Sequence, residues 1–142
     1  MKQNRGIIIF FSAMILLFIL VQVWHTQSAP EEKKQERERQ LKGLALIMSV
    51  MSGKISDDST RIDSVTYNDE VMRISYTLTK VAKNEIDSNE FTKDARALAA
   101  SAFCNEKGLG QFVQSGLSID LTYKDSTSSP IVEFQIDKSD CL

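Results

Sequence analysis

An α+β domain following an N-terminal transmembrane helix is the fold class this sequence predicts, and three observations predict it. An apolar run of eighteen residues occupies positions 6–23. From residue 61 onward the hydrophobic period alternates between two and about 3.6, the signatures of strand and helix. The strand-like segments come in two consecutive pairs with a helix-like segment between them. Pairs of that kind, joined as hairpins, predict an antiparallel sheet of about four strands packed by two to three helices.

The apolar run reads GIIIFFSAMILLFILVQV, interrupted only by Ser12 and Gln22. As a helix it spans about 27 Å, close to the hydrocarbon thickness of a bilayer. Trp24 follows at once, where an interfacial aromatic belongs. A retained anchor over 1–29 is the first reading. A cleaved signal is the second, with Thr26-Gln27-Ser28 offering small residues for a cut; its apolar core would be unusually long. Lys2 and Arg5 precede the run, whereas Lys33, Lys34, Arg37, Arg39 and Lys42 follow it. Counted alone, these bases would keep the C-terminal side in the cytoplasm. They alternate with Glu31, Glu32, Glu36 and Glu38, as on a solvated helix, so the cysteines discussed below are given more weight.

Residues 30–42 predict a charged helical stalk. Pro30 suits a first helical turn, and the glutamates behind it favour the positive end of the helix dipole. The domain proper is expected over 43–142. The stalk passes into an amphipathic face of Leu41, Leu44, Ala45, Met48 and Met51, closed by Ser52-Gly53. Met72, Ile74, Tyr76 and Leu78 then alternate with Arg73, Ser75 and Thr77, which predicts a strand. Residues 61–67 are its hairpin partner, with Asn68-Asp69 as the turn.

Asp87 stands three residues before Glu90, the spacing of a capping box, and opens a second helix. Phe91, Ala95, Leu98, Ala102 and Phe103 share its apolar face. A short turn around Leu109, Phe112 and Val113 ends at Gly116. Two strands finish the chain, one through Leu117, Ile119, Leu121 and Tyr123, the other through Val132, Phe134 and Ile136. Residues 124–130 turn between them.

The chain has two cysteines, Cys104 at the end of the second helix and Cys141 beyond the last strand. Two buried thiols or one disulfide would satisfy them. Two thiolates, with no other cysteine and no histidine after position 25, cannot make a four-ligand zinc site, so no metal is expected. An even count behind an export-type segment favours the bridge. A bridge needs an oxidising compartment, which places residues 30–142 outside the cytoplasm. The expected location is therefore a single-pass membrane protein with its domain on the oxidising side, or an exported domain after cleavage; the resemblance given below makes these the inner membrane facing the periplasm, and the periplasm.

Composition excludes more than it selects. The net charge is −2 with 25% charged residues, and no basic cluster follows residue 42, so nucleic acid is not an expected partner. The single histidine, His25, adjoins the apolar run, which removes Ser/His/Asp and Cys/His catalysis from the domain. Gly108-Leu109-Gly110 lacks the length and preceding strand of a nucleotide loop. Asp57-Asp58, Asp137 and Asp140 are acidic loop residues. No catalytic residue, cofactor or small-molecule substrate is expected, and no partner-binding residue can be named.

Residues 60–141 resemble the small α/β pilotins of type II secretion systems, the group distinct from the all-helical pilotins. The shared order is a helix, a hairpin over 62–78, and a helix opening near Asn89-Glu90-Phe91. Cys104-Asn105-Glu106, Ser115-Gly116-Leu117-Ser118-Ile119, Tyr123-Lys124-Asp125 and Asp140-Cys141 continue the pattern. The resemblance implies bridged cysteines and a protein partner, a segment of an outer-membrane secretin or of another secretion-apparatus subunit. Pilotins of this kind ride on their own lipid, whereas no cysteine lies near the end of the apolar run here. The expected function is thus a membrane-anchored accessory protein that docks a partner segment. The alternatives are an immunity or entry-exclusion inhibitor of the cell envelope, and an enzyme working through carboxylates alone.

Overall fold

A computed structural model describes residues 30–53, 59–105 and 107–141. The apolar run, Trp24 and His25 lie outside the described residues. No helix among the described residues is long and apolar enough to cross a membrane. Residues 30–50 are helical (α1). The chain forms two compact units, 1–40 and Leu41–Leu142. In the first, the exposed helical surface carries a Glu36–Arg39 ion pair at 3.2 Å.

The second unit contains four strands: β1 (Thr60–Asn68), β2 (Val71–Leu78), β3 (Ser118–Lys124) and β4 (Pro130–Ile136). Between β2 and β3 lie helices α2 (Ser88–Phe103) and α3 (Gly110–Gln114). Short 3-10 turns occupy Lys83–Glu85 and Lys138–Cys141.

The sheet order is β1-β2-β3-β4, with β1–β2 and β3–β4 antiparallel as the hairpin reading requires. The central pair is parallel, with Val71 opposite Ser118 and Thr77 opposite Lys124. The sheet is therefore mixed, which corrects the expectation of a wholly antiparallel one. The cause is the connection. A crossover that includes helices returns the chain to the end of the sheet at which β2 began, so β3 runs parallel to β2. Local periodicity reports each strand but not its neighbour's direction.

Alternation sets one buried face. Met72, Ile74, Ile119, Leu121 and Ile136 are at most 1% exposed. Arg73, Asp120 and Gln135 share the opposite face, where Arg73 pairs with Asp120 and Gln135 donates to Asp120. Burying one such aliphatic side chain stabilises the fold by about 1.5–3 kcal/mol. Leu41 and Ala45 of α1 join the same core, with Leu44 and Met48 packed against it. Met51, expected on that face, is exposed because the helix has already ended at residue 50.

The first hairpin turns at Asp69-Glu70, with φ of 50° and 61°, one residue later than expected. A two-residue loop with both φ positive matches the twist of its strands, and here it is made without glycine. At α3, Leu117 N–H donates to Phe112 O at 2.9 Å and Gly116 N–H to Val113 O at 3.1 Å. Gly116 carries the positive φ, 116°, of that helix-ending motif. Gly110 answers a packing need: a Cβ there would lie 2.6 Å from the carbonyl oxygens of Cys104 and Asn105.

Candidate functional site

Helix α2 begins as its sequence indicates. The Asp87 carboxylate accepts from Asn89 N–H at 2.9 Å and Glu90 N–H at 3.1 Å, satisfying two of the free donors of the first turn. Its far end is fixed by chemistry distant in sequence. Cys104 caps the helix and is bonded to Cys141, with Cα atoms 5.2 Å apart. About two turns earlier, Arg96 holds Asp140 through Nε at 3.0 Å and Nη2 at 2.7 Å. Asp140 also accepts from Asp137 N–H, and Asp137 from the Ser139 amide and hydroxyl. These acids thus close the terminal turn rather than meeting as a catalytic pair. Sequence reasoning could see the two cysteines but not Arg96, which reads as one more exposed helix charge.

With both ends tethered, α2 packs over β4. Only Ala95 and Ala99 of this helix are buried. Leu98 and Ala102, expected to pack with Phe91, Ala95 and Phe103, are exposed, Leu98 by 72%. The reason lies in where the helix sits: covering β4 leaves the β1–β2 half of the apolar face uncovered at that end.

That uncovered region is a groove of about 400 Å³. Phe91, Ala95, Leu98, Ala99, Ala102 and Phe103 form its α2 wall, and Thr60, Tyr76, Leu78 and Tyr123 come from the sheet. Asp94 is its single carboxylate among the lining residues. Tyr76 and Tyr123 are opposite one another in the parallel register, and their rings stack at 5.1 Å. Phe91 meets Tyr123 edge-on at 5.3 Å, and Phe134 stacks behind it at 6.0 Å. Aromatic packing of this kind makes a stiff apolar floor with polar hydroxyls attached. Burial, with the neighbouring Tyr123 as a lesser cause, pushes the Tyr76 phenol up to about 12. Burial likewise raises Tyr123. Both phenols stay neutral at physiological pH.

The groove brings together no nucleophile and base, and no cluster of metal-ligating side chains occurs among the described residues. What it can do is bind: a half-open, mostly apolar cleft with neutral hydroxyls and one acid at its edge suits an apolar segment bearing a few polar atoms. The sequence held one signal for it. Tyr76 and Tyr123 occupy inward positions late in two strands, where aliphatic residues fill the core elsewhere.

A second polar feature, unforeseen from the sequence, is Asp125. It is 3% exposed and closes the β3–β4 turn, accepting from the Thr127 hydroxyl at 2.7 Å and from the amides of Thr127, Ser129 and Lys83. The Thr127 hydroxyl bond, with those amide bonds, lowers this carboxyl to about 2.

Fold and groove together define a small α+β domain with a half-open apolar cleft. The architecture is that of the α/β pilotins of type II secretion systems. The pilotin AspS of Vibrio cholerae superimposes with a TM-score of 0.61 at 18% identity, covering 80% of this chain and 99% of that one. The Vibrio vulnificus pilotin EpsS gives 0.62 at 14%, covering 78% and 96%. A putative secreted protein of Pseudomonas aeruginosa gives 0.63 at 16%, covering 75% and 94%. No family model matches the chain, and no curated protein matches it by sequence.

Proposed function

We propose that this chain is a non-catalytic accessory protein of an envelope secretion apparatus, which captures an apolar segment of a secretin or another apparatus subunit in the α2–sheet groove. The observation that carries the reading is Leu98, a large side chain left 72% exposed beside an aromatic floor. An amphipathic helix laid along the groove would cover it, with apolar anchors at helical spacing. The fold shared with two pilotins supports the same class of role.

The domain works in the periplasm. The apolar run over 6–23 holds it at the inner membrane, or directs its export and is then removed. The Cys104–Cys141 bridge is consistent with an oxidising compartment. With the run retained, the domain would hold its partner near the inner membrane rather than carry it outward.

The test is a crosslinking pull-down of the tagged full chain from membranes, with bound proteins identified by mass spectrometry. A secretin or other apparatus subunit is expected, and it should be lost with Leu98→Asp. Recovery of a toxin or conjugation component, with no apparatus subunit, overturns the proposal in favour of an inhibitor.

A further inference from the structure

Helix α1 is apolar on two sides, and its core accounts for only one. Leu41 and Ala45 are buried. On the opposite face Leu46, Ile47 and Val50 are 66, 64 and 70% exposed, and Met51 just beyond is 52% exposed. Gly43, Leu46, Ile47 and Val50 fall at i, i+3, i+4 and i+7, one continuous helical seam. The seam carries no charge. Four side chains so exposed present on the order of 400 Å² of apolar surface, the size of a patch that marks an interaction site.

Gly43 tells what covers it. Glycine is the least favourable residue but proline inside a helix. A Cβ at Gly43 would meet nothing within 4 Å, so no contact among the described residues demands the missing side chain. The seam is instead complementary to itself. Antiparallel pairing of two copies places Val50 of each opposite Gly43 of the other, with Leu46 opposite Ile47. The protruding valine enters the gap left by the glycine, as a knob enters a hole. Parallel pairing would set gap against gap and valine against valine.

We infer that this face of α1 is a homotypic interface, joining two copies about a two-fold axis that passes between Leu46 and Ile47. Such an isologous contact uses the same patch on both partners. The two seams together bury roughly 800 Å², below the 1,200–2,000 Å² of stable complexes, so the pair is a weak one suited to a crowded membrane surface. It lies apart from the α2 groove and does not depend on what that groove binds.

The test places a cysteine near the axis in the full chain, Ile47→Cys, and treats membranes with a short bis-maleimide. Cys104 and Cys141 are already bonded, which leaves this thiol as the reactive one. A covalent dimer is expected, with none from Lys93→Cys on the exposed side of α2. Adding Gly43→Leu fills the hole and should abolish the dimer, while the circular dichroism spectrum and melting point are kept or improved. Were the seam merely sticky, added leucine would strengthen association. A crosslink undiminished by Gly43→Leu overturns the inference. So does an unlinked Ile47→Cys protein, whether lipid or a different protein covers the face.

Discussion

Removing the disulfide should be the most costly change that leaves every core side chain in place. Cys104 and Cys141 are 37 positions apart, and their bond closes α3, β3, β4 and the terminal turn into one loop. On the chain-entropy treatment, a loop of that size stabilises the fold by about 4 kcal/mol through the unfolded state. The ion pair that remains between the terminal turn and α2 is Arg96–Asp140, whose side chains are 44% and 14% exposed, and ion pairs near the surface contribute about 0–1 kcal/mol. Domains of this size have only about 5–15 kcal/mol in total, so the loss is a large fraction of it. The double variant Cys104→Ser/Cys141→Ser avoids a lone thiol. Urea unfolding of the full chain in detergent, followed by circular dichroism, should show the midpoint fall by roughly 1.5–3 M for an ordinary slope. The slope itself should rise, because the unlinked chain unfolds to a more expanded ensemble. A fall under about 0.5 M would refute the reasoning, since the bridge would then constrain nothing that the fold does not already hold.

Three further outcomes separate the parts of the account. Leu121→Ala, at a fully buried position, should cost about 2–5 kcal/mol, whereas Leu98→Ala should stay within about 0.5 kcal/mol; thermal melts of the two check it. Ser128 holds a φ of 67° in an exposed turn, so Ser128→Gly should stabilise by about 0.5–1 kcal/mol, the relief of a left-handed backbone less the added freedom of the unfolded chain. Asp125, with its carboxyl lowered to about 2, stabilises the fold above the ordinary carboxylate range of about 4 and loses that contribution as pH falls through its folded value. Melting points taken between pH 7 and 2 should therefore fall more steeply for the wild type than for Asp125→Asn, and parallel curves would contradict the assignment.

Much of this fold is legible in the sequence, because period and punctuation are local. The alternation at Met72, Ile74, Ile119 and Leu121 and the cap at Asp87 turned into strands and a helix start at the expected places. Gly116 ends α3 for the reason its position suggests. The direction of β3 beside β2 was not legible, since it depends on where α2 delivers the chain. The groove was hidden for a related reason. Leu98 and Ala99 are adjacent letters, and only the placement of α2 over β4 sends one to solvent and the other to the core. Asp125 looks like any turn acid until four donors are seen to converge on it. Met51 looks like a core letter, yet it lies just past the end of α1 and is exposed, and Val50 faces outward on the helix's last turn.

The central claim is that the α2–sheet groove receives the partner. A photo-crosslinking residue placed at Leu98 in the full chain, in cells, tests it most directly, with the same residue at Glu133 on the polar face of the sheet as the reference. The account predicts a covalent adduct with a secretion-apparatus subunit from position 98 and none from position 133. Adducts from position 133 alone, or with no apparatus subunit from either, would contradict it.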